Sequence, residues 1–214
     1  MKTAACALAS ALSLTISVVA SAAQEPAVAR TEQMIAAFKK AKIGVPAAAN
    51  ASAFAEIDSL IDYETITTRA LEPRAAKLTP AQKAEFQTKL HELIRLIAYP
   101  DSGDFFRRAK LTFQPLKIDG VQTQVSFLAK LPDEDLQVEL TLHWVKGADG
   151  NLRVVDVSFD GDSLVQDYQN QFSRIIDKDG VKGLFQKIEE RRAAVDKAAA
   201  GGEAPAAGRG TNSR

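Results

Sequence analysis

Side chains able to move a proton, attack a carbonyl or hold a metal are sparse in this chain. It has two histidines, His91 and His143, and one cysteine, Cys6. Two separated imidazoles with no thiolate beside them do not make up a metal-ligand set. His143 alternates with Leu142 and Trp144 in a strand pattern, which turns its ring to the face opposite theirs. As an acid–base residue it would work with a carboxylate such as Asp156. Ser163 follows Asp160-Gly161-Asp162 but lacks the flanking glycines of a nucleophile elbow, and Asp162 or Ser163 is needed to cap a helix. Asp177 and Asp179 with Gly180 resemble a calcium loop whose glycine arrives too early and whose closing Glu is missing. No phosphate-cradling glycine loop or dinucleotide fingerprint is present. Arg107-Arg108 with Lys110 is a short basic run suited to a phosphate or an acidic partner.

The first residues, MKTAACALASALSLTISVVASAA, join one early Lys2 to a short apolar run and small residues at 20–23. That pattern is a secretory signal peptide over 1–23, cleaved near Ala22 or Ala23. Cys6 lies inside it, so the secreted chain is expected to carry no thiol chemistry and no disulfide, and to depend on its core for stability. The chain has 27 basic and 27 acidic residues. Loss of Lys2 leaves one acidic residue in excess, which argues against a nucleic-acid binder.

The 214 residues, 46% hydrophobic and 25% charged, suit one globular domain over 24–197. A lead-in from Gln24 to Arg30 precedes a helix capped by Thr31 and stopped by Gly44 to Pro46. A second helix opens at Asn50 or Ser52 and places Phe54, Ile57, Leu60 and Ile61 at helical spacing. Asp62 restarts a third that carries Ile66 and Leu71, ended by Pro73. Thr79, Pro80 and Gln82 form a capping box before Phe86, Leu90, Leu93, Ile94 and Ile97, and Pro100 to Gly103 end that helix.

Beyond Phe105 the period changes to two. Leu111 and Phe113, then Val121 to Leu131 after an Asp119-Gly120 turn, then Leu136 to Trp144 and Leu152 to Phe159, predict an antiparallel meander of about four strands. On the last, Val155, Val157 and Phe159 alternate with Val154, Asp156 and Ser158, predicting one buried face. Gly161 turns into a helix with Leu164, Val165, Tyr168, Phe172, Ile175 and Ile176 on one face, and Gly180 separates a final helix. Residues 198–214, rich in Gly and Ala, read as a disordered tail. The fold class is α+β, with helices before and after the strands packed on one sheet.

The stretch VVDVSFDGDSLVQDYQNQF resembles the MlaC family, periplasmic phospholipid carriers also described as toluene-tolerance auxiliary proteins. The residues that carry the resemblance are Asp156, Val157, Gly161, Ser163, Leu164, Val165, Tyr168, Gln171 and Phe172. A second block, Asp62-Tyr63-Glu64, Arg69, Leu71, Thr79-Pro80, Gln82, Phe86 and Tyr99, matches upstream. The chain departs from the family after Leu71, with Glu72 to Ala75 where a Gly and a Trp are usual, and at Leu152, where a Trp is common.

The resemblance implies a cone-like fold with an apolar cavity between helices and sheet, and a protein that is not an enzyme and needs no cofactor or metal. Candidate lining residues are Phe86, Leu90, Leu93, Ile97, Phe113, Val125, Phe127, Leu140, Leu142, Tyr168 and Phe172, with Arg107 and Arg108 meeting a headgroup or partner. It further implies a monomer in the periplasm that shuttles phospholipid between an outer-membrane lipoprotein complex and an inner-membrane ABC transporter of Mla type, maintaining outer-membrane lipid asymmetry. The alternative is a small periplasmic enzyme on the same α+β scaffold, acting on a small apolar molecule through His143 or Asp156.

Overall fold

The computed structural model describes residues 26–201, and the segment assigned to the signal peptide lies outside them. Helix α1 spans Pro26–Lys40, so it starts within the expected lead-in. Proline suits a first helical turn because its missing N–H would have no partner there. Thr31 is therefore interior to the helix. Its hydroxyl donates to Ala27 O at 2.8 Å and accepts the Trp144 indole N–H at 2.9 Å, a partner 113 residues away. Its polar neighbours give it the look of a cap, but burial against the sheet decides its role.

Helix α2, Ala51–Asp58, stops short of Leu60 and Ile61. Those two do not continue the helix: Leu60 O accepts from Val154 N at 2.8 Å and Asp62 N donates to Val154 O at 2.9 Å, extending the sheet edge. Asn50 spends its side chain on the Lys42 backbone instead of the helix. Asp62 does cap α3, Tyr63–Leu71, accepting from Thr65 N at 2.9 Å. A 3₁₀ segment, Glu72–Lys77, follows.

Helix α4 opens on the expected capping box, with Thr79 and Gln82 bonded reciprocally. It runs Pro80–Arg108, passing through Pro100 rather than ending there. A proline inside a helix forfeits one bond. Packing on both sides of it outweighs that loss. Tyr99 and Phe106 are buried, and Gly103 lies so close to the Phe38 and Ala41 carbonyls that an added Cβ would stand 2.5 Å from each.

The sheet is antiparallel and has six strands: β1 Lys110–Phe113, β2 Lys117–Asp119, β3 Gln122–Leu131, β4 Leu136–Lys146, β5 Leu152–Phe159 and β6 Asp162–Ser163. Its order is β1-β3-β4-β5-β6, with β2 also paired to β3. The count exceeds the expected four for two reasons. Pro115 interrupts the first strand, whose halves both pair with β3. The turn after β5 also folds back, pairing Ser158 with Ser163. The Asp119-Gly120 hairpin forms as expected, Gly120 taking φ 59°.

A bulge between His143 and Trp144 shifts the β4–β5 register, so that Asp156 faces His143 while Val154 faces Trp144. Val154, Val155, Asp156 and Ser158 are all buried. The strand thus has two covered faces rather than the single one its alternation suggests.

Helix α5, Leu164–Gly201, carries a non-helical residue at Gly180, where the final helix was expected to separate. It includes 198–201, which the sequence assigns to a tail; the remainder of that tail lies outside the described residues. Three apolar clusters hold the layers together. The sheet's inner face, Val125, Phe127, Ala129, Leu140, Leu142 and Trp144, packs on Met34 and Ile35 of α1 and Phe106 of α4. Leu71, Phe86, Leu90, Leu93, Phe172, Ile176, Leu184 and Ile188 fill the space between α3, α4 and α5. Ala37, Phe54, Ile57, Tyr63 and Tyr99 join the two.

Candidate functional site

The stretch from β5 into α5 is built around Asp156. Its Oδ1 accepts from Val157 N at 2.8 Å and Val165 N at 3.1 Å, and its Oδ2 accepts the Ser163 hydroxyl at 2.6 Å. Ser163 Oγ in turn accepts from Gln166 N at 3.0 Å and so caps α5. A buried carboxylate needs donors, and the first turn of a helix supplies them together with a favourable dipole. Asp156 and Ser163 are thus held by backbone and by each other.

Opposite Asp156 on β4, His143 Nδ1 lies 3.2 Å from Gln122 Oε1 and Nε2 lies 2.8 Å from Ser158 Oγ. The Gln122 oxygen only accepts, so Nδ1 carries the proton and Nε2 accepts from Ser158. Burial holds the His143 pKa below its ordinary value; Asp156 opposes that shift and Arg69 adds to it.

The other histidine belongs to a polar group between α2 and α4. Asp58 Oδ1 accepts from His91 Nε2 at 2.9 Å and from the Tyr99 hydroxyl at 2.7 Å, and Oδ2 pairs with Arg95 Nε at 3.4 Å. Tyr99 accepts from the Tyr63 hydroxyl, and the Tyr63 ring lies tilted by 31° against His91 with centroids 3.9 Å apart. Burial raises the pKa of both tyrosines well above its ordinary value. Sequence reasoning passed over Asp58, Arg95 and Tyr63–Tyr99 contacts, although His91, Arg95 and Tyr99 recur every four residues, the spacing of one helical face. Among the described residues, no group of three or more His, Cys, Asp or Glu is placed to hold a metal ion.

The structure divides the apolar candidates between two places. Phe86, Leu90, Leu93 and Phe172 are buried in the helical cluster, with Ile97 and Tyr168 half-buried against it. Phe86 meets Phe172 edge-on at 5.1 Å, and Tyr168 stacks on Phe172 at 5.4 Å. Val125, Phe127, Leu140 and Leu142 belong to the sheet's inner face. Phe113, Phe127, Leu140 and Phe159 form one cross-strand row there. Its ends, Phe113 and Phe159, are 38% and 44% exposed, so apolar surface from this row reaches solvent on both sides.

Arg107 and Arg108 have internal partners. Arg107 Nη1 donates to Lys39 O at 3.0 Å and Ala41 O at 2.6 Å, closing the C-terminus of α1, and Arg108 pairs with Asp104 and Glu134.

Two clefts border the helical cluster. One, of about 330 Å³, lies along the seam between α4 and the end of α5, lined by Lys89, Glu92, Leu93, Ile188, Glu189 and Arg192 among others. The second, of about 200 Å³, lies between α3 and the start of α4 and reaches Leu71, Ala75 and Ala84.

With that geometry in hand, a family model described as MlaC protein matches residues 28–190. Among solved structures, the phospholipid-binding protein from Ralstonia solanacearum, determined in complex with a phospholipid, is similar with a TM-score of 0.63 at 22% identity. The match covers 81% of this chain and 98% of that one, and it establishes a shared fold. No curated protein matches the chain.

Proposed function

The chain belongs to the MlaC family, and from that premise we propose that it is a phospholipid carrier of the periplasm. It shuttles lipid between an outer-membrane lipoprotein complex and an inner-membrane ABC transporter of Mla type, and so maintains the lipid asymmetry of the outer membrane. The observation that carries the reading is the extent of the family match. Residues 28–190 run from α1 to the last helix and include the helical cluster, the cluster that joins it to the sheet, and all of the sheet cluster but Ala27. The phospholipid held by a structural neighbour on the same fold supports it.

The physical task is to keep acyl chains out of water. Burying a methylene is worth about 0.8 kcal/mol, so two chains of roughly fifteen carbons represent on the order of 20 kcal/mol. Two adjoining apolar clusters, joined rather than fused, can part around the chains and exchange side-chain contacts for chain contacts. The exposed ends of the row at Phe113 and Phe159 mark where apolar surface already meets solvent. No bond is made or broken in this cycle. His143, bonded to Gln122 and Ser158, and Asp156, bonded to Ser163 and two amides, order the sheet and the start of α5. Release follows from a partner that binds the parted form better than the closed one.

Native mass spectrometry of protein purified without detergent, with lipid extraction, tests the reading. The expected mass includes one or more phospholipids in whole-number ratio. An apo mass that stays unchanged after incubation with phospholipid vesicles would overturn it.

A further inference from the structure

We infer that the second half of α5, residues 181–198, is a hinged cover over the helical apolar cluster, turning about Gly180 to admit an acyl chain between itself and α4. The inference rests on the carrier reading above.

The two halves of α5 are secured differently. Before Gly180 the helix is anchored along its length. Asp156 holds its start through Ser163 and Val165, Gln169 Nε2 donates to Arg69 O at 2.7 Å, and Asp177 receives Arg74 Nε at 2.7 Å and Lys77 Nζ at 2.8 Å. After Gly180 the helix lies along α4. Two ion pairs cross that seam, Lys89 with Glu189 and Arg192 Nη1 with Glu92 Oε2 at 2.6 Å, one helical turn apart on each helix. All four side chains are partly exposed, as are Arg74, Lys77 and Asp177, so the ion pairs on both halves hold weakly and are screened by salt; the first half differs in its bonds through Asp156 and Gln169. The seam is closed chiefly by Leu184 and Ile188, which are buried in the helical cluster.

Gly180 has φ 71° and ψ −179°, a region that glycine alone occupies without strain, and no atom lies within 4 Å of where its Cβ would be. The Cβ side of the kink is open, although Val181 beside it rests on the helical cluster and the Asp179 side chain lies close to Gly183. The turn at Gly161 is different: Asp160 Oδ1 accepts from Glu139 N and Asp160 N donates to Glu139 O, both at 2.8 Å, which ties that turn to β4. Beside the hinged half, the 330 Å³ cleft is lined by Leu93 of α4 and Ile188 of α5 together with the seam's charged side chains. An acyl chain entering there replaces the contacts Leu184 and Ile188 make with like contacts, so opening with lipid does not expose the cluster to water.

Cross-linking tests the hinge. In a full chain carrying Cys6→Ser, Lys89→Cys and Glu189→Cys are joined by a thiol-cleavable bis-methanethiosulfonate. Uptake of a fluorescent phospholipid is followed from vesicles of phosphatidylethanolamine and phosphatidylglycerol. Uptake should fall at least tenfold in the linked protein and return on reduction; Glu92→Cys with Arg192→Cys should behave the same way. Linking Arg74→Cys to Asp177→Cys, within the anchored half, should leave uptake unchanged. Equal uptake before and after cleavage at the α4 seam, or equal loss on linking the anchored half, overturns the hinge while leaving the carrier reading in place. Absence of uptake by the unlinked wild-type chain overturns both.

Discussion

The Asp156 carboxylate and the Ser163 hydroxyl lie 2.6 Å apart, and through that contact the last long strand and the first turn of α5 share one acceptor. Val165 N completes the arrangement at 3.1 Å. Replacing Asp156 with Ala leaves a buried amide and a hydroxyl without their acceptor. The expected loss is about 2–4 kcal/mol, in the range for removing a charged hydrogen-bond partner from the interior. Urea unfolding checks it: the midpoint should fall at constant slope, and an unchanged midpoint would refute the assignment.

Trp144 and Thr31 form a second such pair, this one between the sheet and α1. Thr31→Val keeps the shape but orphans the buried indole N–H, at an expected cost of about 1–3 kcal/mol. Adding Trp144→Phe removes the orphan as well. The double variant should therefore cost less than the sum of the two single ones, a non-additivity that a double-mutant cycle measures. Strict additivity would show that the two groups do not interact.

His143 gives the stability a pH dependence of known sign. Its folded pKa lies below the ordinary 6.5 because burial disfavours the imidazolium. Between the two values the unfolded chain binds more protons, so stability rises with pH. The contribution is complete above about 6.5 and is lost as pH falls from there through the lower folded value. Subtracting the unfolding free energy of His143→Gln from that of the wild type isolates this component. The difference should shrink on going from pH 7.5 to the acid side, and a difference constant with pH would count against it.

Local chemistry made parts of the fold legible in the sequence. The Thr79–Gln82 capping box and the Asp119-Gly120 turn each depend on residues within four positions of one another, and both form as read; Asp62, where a third helix was expected to restart, proves to be its cap. The residues resembling the MlaC family around Asp156 were legible too, and the structure supplies their reason: the Asp, the Gly and the Ser build one turn and one cap. What failed were features decided at a distance. Pro100 looks like a terminator until Gly103 is seen pressed against α1, and Thr31 looks like a cap until Trp144 arrives from the sheet. Asp58 gave no local signal because its partners come from another helix. Phe86 and Phe127 have the same buried, periodic character, and periodicity carries no information on which of two clusters each belongs to.

The break at Pro115 has a consequence for the company this protein keeps. A sheet edge is a row of unsatisfied amides and carbonyls, and a long straight one invites a foreign strand to join it. Here the edge offers four residues in β1 and three in β2, each segment beginning with a lysine, with a proline that cannot donate between them. The interruption denies a neighbouring chain the continuous template that runaway strand addition requires, and it does so at a cost of only a few ladder bonds.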